Sequence, residues 1–186
     1  MRTRQRREAP RDFGALVDRH QTEILRYLRR LTGDPTLAED LFQDTFLKAF
    51  GRFSRLAPAS NHRAWLYRIA TNRFLNHRRA AARRVEVALP VETHSPQPSP
   101  AAVHERTEAA QAVRAAIGRL PPRQRAAFVQ RRLQGLDYRD VSAALGCTEA
   151  AARANVYQAM RRLRRELDGV TSRRQATAVG GDHDAL

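Results

Sequence analysis

Residues 61–79 read NHRAWLYRIATNRFLNHRR, a helical run that mixes aromatics, amides and arginines. These are the residue types that grip single-stranded nucleic acid. Trp65, Tyr67 and Phe74 offer flat faces to bases, Asn72 and Asn76 can hydrogen-bond base edges, and Arg63, Arg68, Arg73, Arg78 and Arg79 can hold phosphates. The same pattern has a second reading: Trp65, Ile69 and Phe74 lie near helical spacing, as the core stripe of an amphipathic helix does. Both readings make the segment a helix, and the chain on either side of it is helical too.

On its amino-terminal side, Phe13, Leu16, Val17, Ile24, Tyr27, Leu28 and Leu31 recur at helical spacing until Thr32-Gly33 stops them. Asp34 followed by Pro35 predicts an N-cap with proline at the first helical position, opening a second helix to about residue 50. A loop of small residues, about 51–60, then leads into the third helix. No alternating apolar and polar run predicts a strand.

On its carboxy-terminal side, Pro90, Pro96, Pro98 and Pro100 forbid a continuous helix, and Glu86 and Glu92 replace the arginines. This predicts a flexible linker. Helical pattern returns near Glu105, with Val113, Ile117 and Leu120 on one face, and Pro121-Pro122 separates that helix from the next. In 136–167, Asp137 can cap a short helix packed by Val141 and Leu145, Gly146 turns the chain, and Thr148 can cap the helix that follows. That spacing fits a helix-turn-helix whose second helix enters the major groove. Ala152, Val156 and Leu163 would face inward. Arg153, Ala154, Tyr157 and Gln158 would meet base edges, and Arg161, Arg162, Arg164 and Arg165 phosphates.

The expected fold is therefore all-α: two small helical domains joined by a flexible linker, the second a helix-turn-helix. The expected limits are a disordered basic leader 1–10, a first domain 11–84, a linker 85–104, a second domain 105–169 and a flexible tail 170–186.

Composition points the same way. The 186 residues carry a formal net charge of +15, which favours a polyanionic partner through phosphate contacts and counterion release. Lys48 is the only lysine, so arginine supplies the rest of the positive charge. No long apolar run suggests membrane insertion, and the basic start lacks the apolar stretch of a secretory signal, so the cytoplasm is the expected compartment. Cys147 is the only cysteine, which excludes an intramolecular disulfide and a cysteine-rich metal site. The six histidines show no close ligand spacing, and no phosphate-binding glycine loop or nucleophile motif occurs. No catalytic residue, metal or cofactor is expected, and the chain does not read as an enzyme.

One helix runs against the charge. In 36–50, TLAEDLFQDTFLKAF, residues Glu39, Asp40 and Asp44 cluster with only Lys48 opposing them, and Asp40 and Asp44 repel as i,i+4 neighbours. Such a face is a poor DNA surface. It suits a basic protein surface, with Leu41, Gln43 and Leu47 adding packing and hydrogen bonds; the alternative is a solvated face whose acids favour the helix N-terminus.

Taken in order, AEDLFQDTFLKAF, WLYRIATNRFLNHRR, a proline-containing linker, and LPPRQRAAFVQRRLQGLDYRDVSAALG with an arginine-rich last helix resemble bacterial sigma factors of the extracytoplasmic-function class. The resemblance covers about 13–167. It implies an RNA polymerase sigma factor that directs core enzyme to promoters and nucleates their melting. By that likeness Asp40, Leu41, Gln43, Asp44 and Leu47 contact the beta-prime clamp helices of core RNA polymerase. Arg63, Trp65, Arg68, Asn72, Arg73, Asn76, Arg78 and Arg79 bind the minus-ten element, with Asn72 at a flipped base. Thr148, Arg153, Ala154, Tyr157, Gln158, Arg161 and Arg162 bind the minus-thirty-five element. The implied partners are core polymerase, including its beta flap, promoter DNA, and an anti-sigma protein of the kind that holds many family members inactive. Two departures stand out. The family's recognition helix usually reads glycine, threonine, valine, lysine, serine, arginine where this chain has Ala150, Ala151, Ala152, Arg153, Ala154 and Asn155, and Ser142 replaces the usual alanine. A competing reading is a double-stranded DNA regulator with an amino-terminal dimerisation or sensing domain.

Overall fold

The structure, a computed structural model, describes residues 12–57, 60–87 and 106–179. The expected leader, most of the expected linker, and the end of the expected tail lie outside them. Seven α-helices occur among the described residues, and no strand: α1 Phe13–Thr32, α2 Pro35–Phe53, α3 His62–Val87, α4 Arg106–Arg119, α5 Pro122–Phe128, α6 Tyr138–Leu145 and α7 Glu149–Val179. A π-helical turn, Val129–Leu133, continues α5.

Local chemistry sets the helix ends. Asp12 caps α1 by accepting from the Ala15 amide, and Gly33 closes it at φ +72°, a left-handed conformation that glycine adopts without steric cost. Asp34 caps α2 by accepting from the Thr36 and Leu37 amides, with Pro35 in the first turn where its missing N–H costs nothing. Asn61 caps α3 through Ala64. Asp137 caps α6 through Asp140, and Thr148 caps α7 through Ala151. Past Gly169, where the sequence predicts a frayed tail, α7 runs on to Val179. A glycine inside a helix costs about 1 kcal/mol relative to alanine without ending it, and no proline follows to stop it.

The first domain packs α1, α2 and α3 around Leu16, Ile24, Tyr27, Leu28, Leu31, Ala49, Leu66, Tyr67 and Phe74, all essentially solvent-free. The second packs α4 to α7 around Ile117, Leu120, Val129, Val141, Ala152, Val156 and Ala159. Residues Ala152, Val156 and Leu163 face inward, as the helical spacing predicts. Ser142 is buried too, its hydroxyl donating to the Arg139 carbonyl 2.8 Å away.

The sequence gives no notice that the two domains pack on each other. α3 lies along α6, and α1 meets the π turn. Buried apolar residues of both halves form one cluster, and polar bonds cross the seam. Gln130 Nε2, on the π turn, donates to Tyr27 Oη at 2.7 Å and Thr71 Oγ1 at 2.9 Å. Arg125 donates to the Leu31 carbonyl at 2.8 Å and to the carbonyls of Gly118 and Leu120. Three further bonds lie nearer the surface: Arg30 to the Leu133 carbonyl, Arg63 to the Gln134 carbonyl, and Asn61 to Asp140 Oδ1. Gln130 Oε1 and Arg125 Nε are buried without a partner among the described residues, and each such group costs about 1–3 kcal/mol while it stays dry. Burial, with the charge of Arg78 nearby, pushes the Arg125 guanidinium down to about 10.

Candidate functional site

Two exposed stripes share the first domain. On α2, Asp40, Gln43, Asp44 and Leu47 fall at i, i+3, i+4 and i+7, so they form one face. All four are exposed, Leu47 at 72%. Among the described residues neither Asp40 nor Asp44 forms a salt bridge, whereas Glu39 pairs with Arg29 at 2.9 Å. The acidic character of the stripe therefore stays available.

Leu41 does not belong to it. Six residues before Leu47, it lies about 120° away round the helix, and it is buried in the core shared by α1, α2 and α3. The contact expected of Leu41 is corrected to a packing role. What the sequence reading overlooked is an apolar groove beside the acids, lined by Phe13, Phe42, Phe46, Leu47 and Phe50. Phe50 is 66% exposed, and Phe13 meets the rings of Phe46, Phe50 and Phe53 edge-on. The i, i+4, i+8 spacing of Phe42, Phe46 and Phe50 was the available signal.

On α3 the second stripe runs Trp65, Arg68, Asn72, Asn76 and Arg79, at i, i+3, i+7, i+11 and i+14. Arg68, Asn72, Asn76, Arg78 and Arg79 are exposed; Trp65 and Arg73 are half-buried. Arg79 donates to Asn76 Oδ1 at 3.2 Å, which orients that amide. Ile69 and Phe74 are buried, as the core reading has them, and Tyr67, which the sequence offered only as a base face, is fully buried too, so neither Tyr67 nor Phe74 is a base platform. Their burial is what presents the polar stripe outward.

Arg63 is tethered. Its Nε lies 3.0 Å from Glu23 Oε2, its Nη2 donates to the Gln134 carbonyl, and its guanidinium stands 5.6 Å from the Tyr67 ring centroid. Glu23 also receives His20 at 2.6 Å. Burial alone would raise the Glu23 carboxyl, but the His20 hydrogen bond and the Arg63 charge outweigh it and hold it below the ordinary glutamate range.

In the second domain, α6 and α7 form the helix-turn-helix, with Gly146 at φ +61° between them. Arg153, Ala154, Tyr157, Gln158, Arg161 and Arg162 are all exposed on α7, Tyr157 at 64%. Arg153 is preorganised over the Tyr138 ring, 4.3 Å from its centroid, and 3.5 Å from Glu149. Thr148 is exposed, but its hydroxyl accepts from the Ala151 amide. Asn155 turns back to donate to the Ala151 carbonyl at 2.8 Å, so its amide nitrogen is spent within its own helix.

Known proteins share this arrangement. The family profile Sigma-70 region 2 matches residues 16–84, and Sigma-70, region 4 matches 110–163. ECF RNA polymerase sigma factor SigE of Mycolicibacterium smegmatis is 32% identical over 152 residues, 80% of this chain and 59% of that protein. EcfG of Rhodopseudomonas palustris is 34% identical over 72% of each chain. SigL of Mycobacterium tuberculosis is 30% identical over 84% of this chain and 90% of its own. Among solved structures, the sigma factor RpoE in complex with the anti-sigma factor NepR from Bartonella quintana superposes at TM-score 0.69 and 26% identity, covering 86% of this chain and 98% of RpoE. CnrH in complex with the cytosolic domain of CnrY superposes at 0.62 and 25%, covering 84% and 88%.

Proposed function

The chain belongs to the extracytoplasmic-function class of the sigma-70 family, and from that premise we propose that it is a dissociable specificity subunit of RNA polymerase. It directs core enzyme to chosen promoters and nucleates their melting. The α2 stripe of Asp40, Gln43, Asp44 and Leu47 meets the basic beta-prime clamp helices, and opposite charge fixes the register of that contact. The α3 stripe of Trp65, Arg68, Asn72, Asn76 and Arg79, flanked by Arg73 and Arg78, takes the minus-ten strand, with Asn72 at the base drawn from the stack. Flipping costs a few kcal/mol, about what stacking and edge hydrogen bonds return. Arg153, Ala154, Tyr157 and Gln158 read the minus-thirty-five element while Arg161 and Arg162 hold its phosphates, and the second domain sits on the beta flap.

In this reading the protein makes and breaks no covalent bond; its work is binding. No helix among the described residues is long and apolar enough to cross a membrane, and the proposal places the protein in the cytoplasm. Both solved relatives are bound by a partner, RpoE by the anti-sigma factor NepR and CnrH by the cytosolic domain of CnrY, which supports an anti-sigma partner here. The observation that carries the proposal is the pairing, on one rigid domain, of an exposed acidic stripe with an exposed amide and arginine stripe in a chain of net charge +15. A regulator acting on duplex DNA alone gives the acidic stripe nothing to do. Sequencing transcripts made on genomic DNA by core polymerase with and without the protein tests it. A set of starts that depends on the protein is expected; identical transcripts would refute it.

A further inference from the structure

The first turns of α7 give the second domain little with which to read a base. From Glu149 to Asn155 the chain runs EAAARAN. Ala150, Ala151 and Ala154 carry only methyl groups, Ala152 is buried, Asn155 donates to its own helix, and Glu149 is an acceptor that DNA phosphates repel. Arg153 is the one cation in that stretch. Where a single side chain carries the readout, its placement decides how sharply one base is told from another, because a bidentate fork onto a base edge tolerates little misplacement.

Tyr138 lies against that cation. The Arg153 guanidinium stands 4.3 Å from the ring centroid, well inside the ~6 Å reach of a cation–π contact. The ring is itself fixed. Tyr138 is the first residue of α6, directly after the Asp137 cap, and its side chain packs, partly buried, against the core. Arg131 rests on the same ring at 5.0 Å while donating to the Leu136 carbonyl at 3.2 Å. Of the two guanidinium groups, Arg131 is half-buried and tied to that carbonyl, so exposed Arg153 is the one able to turn its N–H groups outward. Glu149 is a weaker hold on Arg153: it lies 3.5 Å away and both side chains are largely exposed, so salt screens the pair. An arginine without such a support samples many rotamers and gives up that freedom on binding, whereas one resting on an aromatic face keeps its in-plane N–H groups free to bond.

We infer that Tyr138 is a positioning residue for promoter selectivity: its ring is the shelf on which Arg153 is held ready for a base edge of the upstream element, and Arg131 braces that ring. Tyr138 acts through Arg153 and reads no base itself. The hold on Arg153 stands on the geometry alone; its effect on selectivity rests on the function proposed above.

Variants of the full chain test it. Tyr138→Leu keeps an apolar side chain against the core but removes the ring, and Tyr138→Phe keeps the ring without the hydroxyl; circular dichroism checks that both retain their helices. In side-chain nitrogen–proton spectra of the free protein, the Arg153 Nε–H signal, assigned by its loss in Arg153→Ala, should sit in the same place in the parent and in Tyr138→Phe, and should move towards that of free arginine in Tyr138→Leu. A signal unmoved in Tyr138→Leu overturns the hold. With core polymerase, selection from promoters randomised at both elements should show Tyr138→Leu weakening the base preference at the position read by Arg153 by about two- to fivefold, the size of an exposed cation–π contact, with the minus-ten preference unchanged. Tyr138→Phe should keep the parent's preference. In an Arg153→Ala background, Tyr138→Leu should change the preference no further; an equal loss with and without Arg153 would make Tyr138 a packing residue of α6 and overturn the inference, as would a Tyr138→Leu preference equal to the parent's. Silence of the parent protein with core polymerase would count against the proposed function, and the spectra still judge the hold.

Discussion

Glu23 Oε2 lies 3.0 Å from Arg63 Nε across the junction of α1 and α3, with both side chains partly buried. The pair fixes the start of α3, so the first arginine of that helix is structural as well as basic. Replacing Glu23 by Gln should cost about 1.5–3 kcal/mol, the range of hydrogen bonds to charged groups, read from urea unfolding at neutral pH.

The same pair sets an acid limit. Because the folded Glu23 carboxyl lies below its ordinary 4.5, its contribution is complete above that value and disappears as pH falls through the lowered one. The stability gap between parent and Glu23→Gln should therefore be constant from pH 7 to about pH 5 and then shrink. A gap that persists unchanged to the lowest pH at which the protein folds would contradict the assignment.

Inverting one charge on α2 should separate docking from folding. Asp44 is exposed, so Asp44→Arg should alter stability by no more than about 0.5 kcal/mol. Its Kd for core polymerase should rise by about tenfold, or about 1.4 kcal/mol. Fluorescence anisotropy of labelled protein titrated with core enzyme reads this directly.

Asn72→Ala should leave both folding and core binding intact and lower the yield of open complexes, scored by permanganate reactivity of unpaired thymines. Unchanged reactivity would remove Asn72 from the strand-capture role.

On α7, Arg153→Ala should relax the preferred upstream element while leaving the minus-ten preference alone, at a cost of about 1–3 kcal/mol if the contact is bidentate. Selection from a library randomised at both elements distinguishes the two effects.

Helix ends were the most legible part of this chain, because capping is local: Asp34-Pro35, Thr32-Gly33, Asp137 and Gly146 mark breaks that the structure keeps. Facing was harder. Tyr67 and Phe74 carry the same rings as a base platform, and tertiary packing turns them inward: Tyr67 stands 4.9 Å from the Tyr27 ring of α1, and the Arg125 guanidinium of α5 lies 5.7 Å from the Phe74 ring centroid. Leu41 was separable from its neighbours on angle alone, since it falls off the Asp40, Gln43, Asp44 and Leu47 row. Asn155 shows a limit of residue identity: an amide that could reach outward is satisfied by its own helix. The seam between domains left the least trace. It depends on Gln130 and Arg125 meeting Tyr27 and Leu31, pairs about a hundred positions apart, and long-range polar contacts have no period to read.

The α2 and α3 stripes ride on one core, in which Ala49 of α2 and Leu66 and Ala70 of α3 are buried in a single cluster. No joint lies between them to absorb slack. Under the proposed function, whatever seizes the acidic row thereby sets the height and tilt of Asn72 above the strand, so the spacing between the two stripes is a fixed gauge, machined into the hydrophobic interior and not adjustable by the ligand.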